Sequence, residues 1–87
     1  MSGEPGTTGE PSKRAFVEFI AKSLVDAPDS VVVTEELDGD FVKLHLTVAE
    51  NDVGKVIGRG GRIAKALRAL VKVMATRDGS KVNLEID

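Results

Sequence analysis

The 87-residue chain has no cysteine, tryptophan or tyrosine, one histidine and three phenylalanines. Without cysteine there is no disulfide framework, no thiolate metal site and no thiol nucleophile. One histidine alone cannot assemble the usual tetrahedral ligand sets, so neither a metal nor any other cofactor is expected. It also leaves no nucleophile–base pair, and no carboxylates cluster near the glycine-rich loop described below, so an enzyme is not expected. Long apolar runs are missing too. None approaches the ~18 residues of a membrane-spanning helix and no signal-peptide pattern opens the sequence, which predicts a soluble, cytoplasmic domain with no membrane partner. With no aromatic near that loop, base stacking cannot be a large term in any binding.

What is present is 41% hydrophobic residues, enough for one small domain with a modest core. A domain of this size has only a few kcal/mol in hand, so association with a second copy would help it. The formal net charge of −2 argues against a polyanion partner if taken as one number. Its distribution points the other way. Lys55, Arg59, Arg62, Lys65, Arg68, Lys72 and Arg77 fall in one window that contains no acidic residue. Local potential, not the sum, steers a polyanion. A basic helix face that merely meets water usually brings Glu partners at i, i+4, and none occurs here.

Residues 1–11, rich in glycine and proline and almost without apolar side chains, read as a flexible tail ahead of a domain over residues 12–87. Ser12 stands where a helix N-cap belongs, and Phe16, Phe19, Ile20 and Leu24 recur at helical spacing. The helix should end near Asp26-Ala27-Pro28. The β-branched run from Val31 to Leu37 reads as a strand. Asp38-Gly39-Asp40 supplies a turn, and Val42, Leu44, Leu46 and Val48 alternate with Phe41, Lys43, His45 and Thr47 in a second strand. Together they predict an antiparallel hairpin with one buried face, on which His45 is a surface residue of the polar side. Asp52 is placed to cap a short helix from Val53 to Ile57. A longer helix, roughly from Gly61 to Met74, puts Ile63, Ala66, Leu67, Leu70, Val71 and Met74 on one half of its surface. At about 100° per residue, Arg62, Lys65, Arg68 and Lys72 fall in an opposite arc of about 120°. After Asp78-Gly79, Val82, Leu84 and Ile86 alternate as a last strand. The order α-β-β-α-α-β predicts an α+β domain with a three-stranded mixed sheet. Three helices pack on one face, the first strand antiparallel to the second and the third parallel to it through a helical crossover.

Between the last two helices lies Val56-Ile57-Gly58-Arg59-Gly60-Gly61-Arg62-Ile63. Paired glycines let the backbone turn sharply and come close to a ligand. The second opens a helix, whose free N–H groups and positive dipole end favour an anion, and Arg59 and Arg62 add mobile cations. A phosphate is the natural guest. A Rossmann fingerprint would need a third glycine where Ile63 stands and a strand ahead of it. A Walker A loop would need a terminal Gly-Lys-Ser/Thr, which is missing.

The apolar-Ile-Gly-x-x-Gly-x-Ile run, set in this order of elements, resembles a type II KH domain. The stretch from Asp52 to Ala66, the Leu24-Val25-Asp26-Ala27-Pro28 turn and the terminal Val82-Asn83-Leu84-Glu85-Ile86 strand are similar to the small bacterial KhpA (YlqC) family. The resemblance implies binding of single-stranded RNA with little sequence preference, a homodimer, and a heterodimer with a second KH-containing protein, KhpB. It further implies a post-transcriptional regulator or RNA chaperone linked to cell division and cell-wall growth. By position, Gly58, Arg59, Gly60 and Gly61 would clamp the RNA backbone, with Ile57 and Ile63 forming an apolar floor for bases and Lys55, Arg62 and Lys65 as flanking cations. KH loops of this kind hold about four nucleotides. Glycine at position 60 departs from the bulkier residues common there and should loosen the loop. The competing reading is a dimerisation module that does little with RNA.

Overall fold

The structure is a computed structural model and describes residues 12–87. The tail expected over residues 1–11 lies outside the described residues. Helix α1 (Lys13–Leu24) starts where the Ser12 hydroxyl accepts the Ala15 amide at 2.9 Å, the cap that the sequence predicts. It ends at Val25, ahead of the proline. The face it buries differs from the predicted one. Val17 and Ala21 are buried, Phe16 and Ile20 only partly, while Phe19 is 68% exposed and Leu24 lies at the surface. Apolar residues occupy more of α1 than one line of contact with the sheet can cover. The small side chains take that line because they let the helix approach closely.

Strands β1 (Val32–Asp38) and β2 (Phe41–Thr47) pair antiparallel, and β3 (Lys81–Ile86) pairs parallel with β2, so β2 is central. This is the predicted mixed sheet. The hairpin turn is one residue shorter than expected, because Asp38 pairs with Phe41 and only Gly39-Asp40 remains between them. Gly39 has φ of 64°, which suits a primed two-residue turn. On β2 the alternation holds as predicted: Val42, Leu44, Leu46 and, just beyond the strand, Val48 are buried. Leu44 and Leu46, fully buried, stabilise by roughly 1.5–3 kcal/mol each.

The crossover from β2 to β3 contains α2 (Val53–Ile57) and α3 (Arg62–Asp78). Helix α3 runs past Met74 because Ala75 still packs inward and the first left-handed residue is Gly79. There the Ser80 amide reaches the Ala75 carbonyl at 2.9 Å and the Gly79 amide turns to Thr76, closing the helix in a Schellman motif. Its buried line is Ala64, Leu67, Val71 and Ala75, whereas the predicted Ala66 and Leu70 are exposed.

Asp52 does not cap α2 with its side chain. Its carboxylate is 2% exposed and accepts the Ala27 amide at 3.0 Å, with Lys55 Nζ 3.5 Å away. Burial pushes this carboxyl up, but the Ala27 and Asp26 amides and the Lys55 ammonium together pull it further down, so it stays ionised. The pair ties the turn after α1 to the start of α2. His45 is half-buried on the open face of the sheet and bonds Asp87 through Nε2 at 2.9 Å, so it is more than a solvated surface group.

At the opposite end, Lys13 Nζ meets Asp78 Oδ2 at 2.7 Å and pins α1 to the last turn of α3. The Lys13 bond, aided by the Ser80 hydroxyl and amide, lowers the Asp78 carboxyl from 3.8 to about 2. A carboxyl whose folded value is depressed stabilises the fold above its unfolded value, and that contribution fades as pH falls toward the folded one. Asp78→Asn should therefore melt below the parent at pH 7, by a margin that solvent screening of the exposed pair keeps small. The two melting curves should converge between pH 3.8 and about 2, followed by circular dichroism.

Candidate nucleic-acid interface

Helix α2 stops because Gly58 leaves helical geometry, with φ of 80° and ψ of 170°. Gly60 and Gly61 follow at φ of 66° and 79°, so the loop is built from left-handed residues around the single helical Arg59. Gly58 is required twice over. Beyond its dihedral, a Cβ there would stand 2.7 Å from Ile63 Cγ1 and 2.9 Å from the Ile63 amide nitrogen. At Gly60 and Gly61 a Cβ would meet nothing within 4 Å, so only the dihedral asks for glycine.

Two loop amides are satisfied internally: Gly58 on the Gly54 carbonyl at 2.8 Å and Gly61 on the Gly58 carbonyl at 3.0 Å. Those of Arg59 and Gly60 donate to no backbone carbonyl among the described residues. They lie beside the N-terminus of the 17-residue α3, whose first turn holds no acidic residue. Free amides, a positive dipole end and open space around Gly60 make an anion cradle.

The remaining sequence-predicted site residues divide into three groups. Arg59, Arg62 and Lys65 are exposed and make no ion pair among the described residues, so their charge is available to a ligand. Ile57 and Ile63 are half-buried on either side of the loop and pack against the core, leaving part of each for an apolar floor. Lys55 is different. It lies 3.3 Å from Asp26 and 3.5 Å from Asp52, and the Asp26 contact foremost raises its pKa. Its charge is already engaged in holding α2, by acids that lie far away or outside its own helix and so escape an i, i+4 search.

Helix α3 presents two unlike flanks. Arg68, whose Nε donates to the Leu84 carbonyl at 3.1 Å, marks the flank toward β3, and helical spacing puts Lys65 and Lys72 beside it. Leu70, Val73 and Met74 lie on the other flank and line an open groove with Phe16 of α1. The basic stripe thus borders the sheet edge instead of standing opposite the core. Lys81 lies outside the acid-free basic window, and no local signal joins it to the stripe. Only the pairing of β3 with β2 sets it beside the end of α3.

A mixed sheet covered on one face by three helices, with a Gly-x-x-Gly turn joining the last two, defines a KH domain. The chain belongs to the KhpA/KhpB KH-domain family, whose model matches residues 14–86. The RNA-binding protein KhpA of Clostridium perfringens is 51% identical over 73 residues, which cover 84% of this chain and 97% of that protein. The protein of the same name from Halalkalibacterium halodurans is 48% identical, covering 84% and 96%. That of Chlamydia trachomatis is 44% identical, covering 84% and 94%. These relatives are named as RNA-binding proteins and not as enzymes. Among solved structures, a variant of Aquifex aeolicus Era bound to GDP·AlF4− aligns with a TM-score of 0.59 at 21% identity over 85% of this chain. Era in complex with MgGDPNP and nucleotides 1506–1542 of 16S ribosomal RNA aligns with a TM-score of 0.53 at 23% identity over 90% of this chain. The chain spans 29% and 34% of those two chains, and the likeness speaks for the fold alone.

The loop geometry sets an order of cost for alanine. Gly60→Ala adds only a left-handed penalty, about 1–2 kcal/mol. Gly58→Ala adds the clash with Ile63 and should cost clearly more, with Ile63 shifting to make room. Urea denaturation of the two variants checks the order, and equal midpoints would refute the packing role of Gly58.

Proposed function

We propose that this protein binds single-stranded RNA, holding its phosphate backbone at the Gly58-Arg59-Gly60-Gly61 loop with little regard to sequence. The observation that carries the reading is the pair of free amides at Arg59 and Gly60, exposed between two uncommitted arginines at the start of α3. Membership of a family whose members are named as RNA-binding proteins supports it. The two-residue connection between α3 and β3 leaves few side chains to read base edges, and no aromatic lies in the loop. Affinity then comes mainly from phosphate contacts and is modest. About three or four such contacts give a log–log salt slope near −2 to −3 for single strands. A salt-independent affinity, or a preference for duplex RNA, would count against the clamp.

The test is Arg59→Asp combined with Gly60→Asp. Both positions are exposed, and Gly60 stands in open space. Two carboxylates a few ångströms from the expected phosphate repel it by about 1 kcal/mol or more each. With the arginine contact gone as well, binding should fall by tens-fold or more. Aspartate tolerates the left-handed conformation better than most residues, so the fold survives at a cost near 1 kcal/mol. Mobility shift with a short RNA reads the binding, and circular dichroism and melting read the fold. A folded double variant that holds RNA as tightly as the parent would sink the clamp and leave the dimerisation module in its place.

Association accompanies this role. Leu70 and Val73 are 48% and 56% exposed beside Phe16 in the α1–α3 groove, and Phe19 stands uncovered on α1. An apolar flank of this kind suits a second copy, or a second KH-containing protein, in a domain with so small a core. Control of transcripts serving cell division and wall growth is the setting that the family resemblance supports. Leu70→Asp with Val73→Asp should convert a micromolar dimer to monomer in sedimentation while the clamp still binds RNA. A parent that is monomeric at high concentration would remove the dimer and spare the clamp.

A further inference from the structure

The sheet has two edges, and the fold treats them differently. The Lys81 amide donates to the Asp40 carbonyl and the Asp87 amide to the Leu46 carbonyl, both at 2.9 Å. Even-numbered residues of β2 therefore turn their backbone groups to β3, and odd-numbered ones turn theirs to β1. Pairing of Lys43 with Glu36 and of His45 with Thr34 then leaves Val33, Glu35 and Leu37 with N–H and C=O groups aimed away from the sheet. On the β3 edge, Arg68 Nε occupies the outward carbonyl of Leu84 at 3.1 Å. On the β1 edge, the three outward residues bond to no other backbone group among the described residues.

An uncovered edge is a template for another strand, and lysine, proline or a bulge usually guards it. β1 has none of these over its seven residues. The charges it does carry are all of one sign. Glu35, Glu36 and Asp38, with Asp40 in the turn, include no base among them, and none is ion-paired among the described residues. Lys43 stands across from Glu36 without coming within ion-pair distance. Beside these acids Leu37 is 71% exposed, at an open hollow of about 440 Å³ shared with Phe41. Such an edge repels acidic strands and stays open to basic ones.

Charge also selects the occupant. A second copy pairing β1 against β1 would set these carboxylates against one another. A second copy's β3 offers an edge that Arg68 already occupies. Residues 1–11 of the chain itself contain Glu4 and Glu10 and no base. We propose that the β1 edge takes up an extended, lysine- or arginine-bearing segment of another protein as a fourth strand. Its main chain pairs with the outward groups of Val33, Glu35 and Leu37. Alternate side chains divide the two faces, cations meeting Glu36 and Asp38 and apolar groups covering Leu37. The proposal does not rest on the RNA-binding reading of the loop.

The probe is a fluorescein-labelled, end-blocked hexapeptide of alternating lysine and valine, read by fluorescence anisotropy. It should bind the parent and slow hydrogen exchange at the Val33, Glu35 and Leu37 amides, followed by NMR. The same peptide N-methylated at every residue keeps its charge, loses its donors and should bind several-fold more weakly. Glu36→Gln with Asp38→Asn should weaken the unmethylated peptide several-fold and flatten its salt dependence. Glu35→Pro is tolerated on an outer edge, where the lost N–H points to solvent, and should lose the peptide while circular dichroism stays that of the parent. If that variant does not fold, the two peptides decide by themselves. Equal binding of both would reduce the contact to charge attraction and overturn the added strand. A parent that binds neither, or slowed exchange confined to the α1–α3 groove, would overturn the edge as the site. Protection of the same three amides without peptide, growing with protein concentration, would give the edge to a second copy and overturn the basic partner.

Discussion

Everything about the candidate site depends on the contact between Gly58 and Ile63. Because no Cβ fits between them, the end of α2 and the first turn of α3 lie closer than any other residue would allow. That closeness turns the chain through two further left-handed glycines and leaves the Arg59 and Gly60 amides without internal partners. Close packing at the base of the turn and exposure at its tip are thus two results of one steric constraint. The turn is stiff where it meets the core and permissive where a ligand would touch it.

The buried Asp52 plays a comparable part for the scaffold. A carboxylate among apolar residues is tolerable only when its oxygens are occupied, and here the occupants come from a distant turn and from Lys55. The carboxylate fixes where α2 begins relative to α1, and so where the loop stands over the sheet. It also explains why one lysine of the basic window is not available to a ligand while its neighbours are.

Much of this was legible in the sequence, for identifiable reasons. The alternation of Val42, Leu44 and Leu46 has a period of two and admits one buried face, and those three residues are the ones β2 buries. The glycine spacing between two apolar segments marked the loop. Ser12 marked the start of α1 and the Asp-Gly turns marked the strand ends. What escaped were relations between distant segments. Asp52 looked like a local cap because its true partner, the Ala27 amide, is not written in side-chain identities. Phe19 looked like core because helical spacing does not say which of several apolar lines meets the sheet. The orientation of the basic stripe is not legible in the sequence because both flanks of α3 are eligible until β3 is placed, and Arg68 reveals the choice only through a backbone carbonyl.

The parallel pairing of β2 with β3 has one more consequence, in folding. Thr47 and Lys81 end and begin neighbouring strands, yet residues 48–80 lie between them. The hairpin of β1 and β2 closes over two residues and can form early, but β3 finds its place only after that whole crossover has turned back on itself. The Gly58–Gly61 turn sits near the middle of the crossover and decides whether its two helices meet at the right angle. The same four residues that stay open to a ligand in the finished domain are therefore the hinge about which its slowest pairing must be made.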